Sequence, residues 1–111
     1  MNRKCPRQLG GANVVAYAIV EKNNIHTKNT TQIVSGKVMG AACAMVIAQI
    51  DGDSGYYLFG SYSQDWASET DSWHEDLESA IDQLDWEYQG LSKNIVWYMR
   101  PDELTQQTGA D

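Results

Sequence analysis

The chain has 111 residues and carries 15 Asp and Glu against 8 Lys and Arg, for a formal charge of −7. That length suits one compact domain and is short for two. With 42% hydrophobic and 21% charged residues, the chain can bury a core and need not be disordered. Two Cys exclude a disulfide scaffold, and two His with two Cys exclude a four-ligand zinc motif of usual spacing.

Residues 1–10 are basic and lack the apolar run of a secretory signal, so they read as a flexible tail. Residues 13–21 are β-branched and aromatic with apolar residues at both parities, which predicts a first strand. Residues 22–32, rich in Asn and Thr, read as a loop or a polar edge strand. A second strand is expected over residues 37–50, paired through the turn Asp51-Gly52-Asp53-Ser54-Gly55 with a third over residues 56–63. The apolar stretch 38–50 is 13 residues long, short of the roughly 17–25 that a membrane helix needs.

The clearest periodicity predicts an amphipathic helix over residues 72–89. Ser72 followed by Glu75 fits a capping box. Trp73, Leu77, Ala80, Ile81, Leu84 and Tyr88 follow one face of a 3.6-residue repeat. Gly90 with Leu91 behind it reads as a left-handed helix end. Residues 95–99 read as a last strand stopped by Pro101, and residues 102–111 as a second flexible tail. The expectation is a single α+β domain over residues 1–111. It has an antiparallel sheet of about four strands in the order β-β-β-α-β and one helix packed on one face. The other face also carries aromatics, so a second copy or another partner is expected to cover it, which makes a homodimer one expectation.

Charge is segregated along the chain. Residues 1–37 sum to +5, whereas residues 38–92 contain eleven acids and neither Lys nor Arg. An acidic stretch of 55 residues disfavours nucleic acid and anionic membranes through the central region and favours a basic protein partner. Tyr56, Tyr57, Phe59, Tyr62 and Trp66 suggest a base-stacking platform, but the basic groove such a platform needs is missing from this stretch.

Signals for chemistry are sparse. The 51–55 turn begins like a calcium loop, yet its fifth and twelfth positions hold Gly55 and Tyr62 rather than oxygen ligands of the required kind. Cys43 sits among Ala and Met, a setting that keeps a thiol protonated and inert. Ser35-Gly36-Lys37 lacks the rest of a phosphate loop. His74, beside Asp71 and Glu75, is a possible acid or base, and His26 has no carboxylate or Cys near it. Neither a cofactor nor a metal is expected, and the protein reads as cytoplasmic with reduced thiols.

Asp65-Trp66, the run Thr70-Asp71-Ser72-Trp73-His74-Glu75-Asp76-Leu77-Glu78-Ser79-Ala80, and Trp86-Glu87-Tyr88 resemble small bacterial accessory proteins of unassigned function. These share a strand, a Trp-His-x-x-Leu-Glu-x-Ala helix and a later Trp. The resemblance covers residues 56–98, implies an immunity-type or gene-cassette accessory product, and brings no catalytic residues.

The leading expectation is a small acidic non-enzymatic protein that docks a basic partner through Glu78, Asp82 and Asp85, in an immunity or regulatory role. One alternative is a small-molecule binder or enzyme with an aromatic pocket of Trp66, Trp73, Tyr88 and Trp97 around His74. Another is a structural homodimer subunit.

Overall fold

The computed structural model describes residues 4–21, 23–24, 26–28 and 32–99. Among these, the chain folds as a small α+β unit with an antiparallel sheet and one α-helix. The sheet has six strands rather than the expected four. In chain order the strands are β1 (Gln8–Leu9), β2 (Ala12–Ile19), β3 (Ile33–Val34), β4 (Lys37–Val38), β5 (Ala44–Gln49), β6 (Tyr56–Ser61) and β7 (Ser68–His74). The helix α1 (Leu77–Glu87), a 3₁₀ turn over Leu91–Asn94 and β8 (Val96–Trp97) follow. The main sheet runs β1-β2-β5-β6-β7, and β8 shares the outer edge of β2 with β1.

The strand expected over residues 37–50 is broken. Its first part belongs to a separate two-stranded hairpin, β3–β4, in which Val34 pairs with Lys37. Ser35 and Gly36 both have positive φ, 52° and 77°, which is what a two-residue turn matched to strand twist requires. Only residues 44–49 enter the main sheet, joined to β6 through the turn at 51–55. In that turn Gly52 is left-handed, and the Asp53 carboxylate accepts from the Gly55 N–H at 3.0 Å.

The larger correction concerns residues 72–74. Ser68–His74 forms β7, paired with β6 from Ser61↔Ser68 to Tyr56↔His74. The helix therefore begins at Leu77, and its N-cap is Asp76, whose carboxylate accepts from the Ser79 N–H at 2.8 Å. Ser72 and Glu75 form no capping box. The Trp-His-x-x-Leu-Glu-x-Ala run spans the strand-to-helix junction instead of lying within one helix. Trp73 drops out of the apolar stripe, while Leu77, Ala80, Ile81, Leu84 and Tyr88 keep it. At the other end, Gly90 is left-handed as expected, at φ 68°, but α1 stops at Glu87 and Gly90 caps the 3₁₀ turn.

Apolar residues at both parities of β2 and β5 reflect burial on both faces. One face packs Val15, Ala18, Met45, Ile47 and Leu58 against Ala80, Leu84, Tyr88 and Leu91. The opposite face packs Val14, Tyr17, Ala44 and Val46 against Cys5 and Trp66, with Leu9, Phe59 and Tyr98 around them. Much of the face expected to be covered by a second copy is thus covered by the chain itself. Residues 4–10, expected to be part of a tail, bury Cys5 and supply β1, and the Tyr98 hydroxyl donates to the Cys5 carbonyl. The tail expected over residues 102–111 lies outside the described residues. Among the described residues no helix is long and apolar enough to cross a membrane.

The helix C-terminus has no basic residue in its last turn, so its orphan carbonyls need other donors. The loop before the small hairpin supplies them. Thr27 donates its N–H to Glu87 O at 2.9 Å, and buried Asn24 donates Nδ2 to Gln89 O at 3.0 Å. The Asn24 Oδ1 accepts from the Glu21 N–H and from Asn94 Nδ2. Removing this hub leaves three part-buried groups, Glu21 N–H, Gln89 O and Asn94 Nδ2, without this partner. Asn24→Ala is expected to lower unfolding free energy by about 1–3 kcal/mol in urea titrations with an unchanged m-value.

Candidate functional site

The eight residues singled out in the sequence fall in four separate places. Trp66 is 4% exposed and sits in the β6–β7 loop on the sheet face away from the helix, edge-on to Tyr17 with centroids 5.4 Å apart. It holds a left-handed backbone, φ 66°, at a cost of about 1–3 kcal/mol that its buried packing offsets. Its Nε1 is buried without a hydrogen-bond partner among the described residues.

Tyr88 and Trp97 lie on the opposite side of the sheet, in the helix-facing cluster. The Tyr88 hydroxyl accepts from the Ala42 N–H at 2.7 Å, its ring lies 5.0 Å from that of His26, and burial pushes its phenol up to about 12. This is a fastening of helix to sheet rather than an accessible acid. Trp66 and Tyr88 are therefore separated by the sheet, and the four aromatics proposed to line one pocket do not meet.

His74 ends β7 on the helix side, opposite Tyr56. Its Nε2 is 2.8 Å from the Ser72 hydroxyl and its Nδ1 is 3.1 Å from the Ser79 hydroxyl. A neutral ring offers one N–H and one lone pair, so one serine donates and the other accepts. The ring thereby ties the end of β7 to the first turn of α1. Burial holds its pKa below the ordinary value, while Glu87 and Asp76 act in the opposite direction.

The third place is the outer side of α1. Glu78, Asp82 and Asp85 are exposed there, at i, i+4 and i+7. Asp85 is committed to structure: it accepts from the Ser92 N–H at 2.8 Å and from the Ser92 hydroxyl at 2.6 Å. Glu78 and Asp82 line up instead with Trp86, four residues on and 55% exposed. Trp86 was missed as a site residue, although its absence from the apolar repeat of the helix was a readable signal.

Trp73, 51% exposed, belongs to another surface. It pairs with Tyr57 across β6–β7 on the sheet face away from the helix, and its indole covers Gly55 so closely that a Cβ there would stand 2.3 Å from the ring. Next to it the Tyr57 and Phe59 rings stack, 6.0 Å apart and 9° from parallel, and the Tyr57 hydroxyl reaches Asp53 at 3.5 Å. Among the described residues no three His, Cys, Asp or Glu converge as a metal ion would require.

Two outcomes check this geometry. Gly55→Ala is expected to displace the Trp73 indole, seen as a changed tryptophan emission, with little loss of stability because the obstructing atoms end an exposed side chain. For His74, the lowered pKa means that the folded state binds fewer protons than the unfolded state once pH falls below the ordinary 6.5. The contribution of His74 is therefore complete above 6.5 and is lost as pH falls through the lowered value. Urea midpoints between pH 7.5 and 5.5 are expected to decline, and His74→Gln to flatten that decline.

The chain matches no protein-family model, no curated protein and no solved structure with which it was compared.

Proposed function

We propose that this is a small non-enzymatic binding protein that docks a basic protein partner through the outer side of α1, in an immunity or regulatory role. The observation that carries the reading is the row Glu78, Asp82 and Trp86 on an exposed helical side, with no basic residue in the last turn. Carboxylates attract and orient a cationic surface. A half-exposed tryptophan beside them adds apolar contact area, the kind of anchor that dominates interface energies. The stretch that contains this row, residues 38 to 92, has no Lys or Arg.

The test is titration of the full chain with a twenty-residue oligolysine, mapped by amide chemical shifts. Binding is expected to centre on residues 78–86 and to weaken between 50 and 200 mM salt. Exposed ion pairs contribute up to about 1 kcal/mol each, so Glu78→Gln with Asp82→Asn should weaken it about three- to thirtyfold. Shifts spread over every acidic residue, or affinity unchanged in the double variant, would remove the reading.

A further inference from the structure

The main sheet ends at β7, and among the described residues no strand pairs with its outer edge. Half of the N–H and C=O groups of an edge strand point away from the sheet and can accept a further strand. Natural edges are usually guarded by charge, and the charge on the described side chains of β7 is that of Asp71, with no Lys or Arg in the strand. Two-fold antiparallel pairing of two copies centred on Asp71 would set one Asp71 against the other, which is destabilising. A basic segment meets the opposite condition.

The sheet face beside this edge narrows the choice. Asp71 pairs with Phe59 and Trp73 with Tyr57, so by strand alternation these four side chains share the face away from the helix. Trp73 is half exposed at the rim, the stacked Tyr57 and Phe59 lie behind it, and Asp53 reaches Tyr57 from the hairpin turn. Aromatic ring faces bordered by carboxylates favour guanidinium and ammonium groups over neutral ones. On the helix-facing side of the same strand lie Ser72 and His74, which are hydrogen-bonded to each other and present no carboxylate.

We infer that the outer edge of β7 captures an extended segment with Arg or Lys at alternate positions, paired to β7 through its backbone, one cation beside Asp71 and another against Trp73. Side chains two residues apart on the added strand fall on the same face, as Asp71 and Trp73 do. The intervening residues face Ser72 and His74 and are small or polar. The inference rests on the reading that the partner is basic, and it adds to the helix a second docking element with a distinct recognition rule.

The probe is an acetylated, amidated heptapeptide of alternating Thr and Arg, titrated into the full chain. Two further peptides carry N-methyl groups at the Thr amides or at the Arg amides. Only one parity of a strand points its amides at the sheet, so one methylated peptide should lose at least tenfold in affinity while the other binds like the parent. Amide shifts should centre on residues 68–74. Trp73→Thr and, separately, Asp71→Asn should each weaken binding about three- to tenfold, whereas Glu78→Gln with Asp82→Asn should change it less than twofold. Equal binding of the two methylated peptides, shifts centred on residues 78–86, or no binding at millimolar peptide would overturn the inference. Loss of oligolysine binding to the helix with retention of the heptapeptide would instead sink the helix reading and leave this one standing.

Discussion

Both faces of the central strand pair are apolar, and among the described residues the chain has a single α-helix with which to cover them. Val15, Ala18, Met45 and Ile47 face one way, and Val14, Tyr17, Ala44 and Val46 the other. Leaving either set in water would forfeit on the order of 25 cal/mol for each Å² of apolar surface. The helix covers the first set. The second is covered by pieces distant in sequence: Cys5 and Leu9 from one end, Tyr98 from the other, and Trp66 from the loop between β6 and β7.

That arrangement explains the positions of the short elements. β1 and β8 share the outer edge of β2, and Arg7 lies 4.5 Å over the Tyr98 ring, so the first and last described strands meet beside the same strand. The left-handed backbone at Trp66 follows from the same demand, because the loop must turn its largest side chain back against Tyr17. On the helical side, Tyr88 and Asn24 fix α1 to the entry of β5 and to the loop before the hairpin. With its inner side fixed in this way, α1 presents Glu78, Asp82 and Trp86 outward, and β7 is left at the margin of the sheet with Asp71 and Trp73.

Much of this was legible residue by residue. The run 13–21 holds all of β2 but Ala12 and the run 56–63 contains β6, the Asp-Gly-Asp-Ser-Gly turn joins the strands it was expected to join, and Leu77 to Tyr88 keeps its apolar stripe. The helix start was misplaced because Trp73 falls one turn before Leu77 and satisfies a 3.6-residue repeat equally well. Local spacing cannot register that the edge of β6 has an open row of hydrogen-bonding groups, and pairing with that row is what draws Ser68–His74 into a strand. The break at residues 39–43 was likewise hidden, since Ser35-Gly36 gives its turn signal in a stretch of otherwise apolar sequence.

The candidate surfaces divide in the same way. The sequence by itself determined the sign and location of charge, the single amphipathic helix and the β-rich context around it, because side-chain chemistry and short-range periodicity are local properties. Only the tertiary structure decided which aromatics are core and which are surface. Trp66 and Trp73 are seven residues apart and similar in neighbourhood, yet one is buried against Tyr17 and the other is half exposed at the rim. The difference arises because the β6–β7 loop folds Trp66 back onto β2 while Trp73 lies on the strand that ends the sheet, and both follow from contacts between residues far apart along the chain.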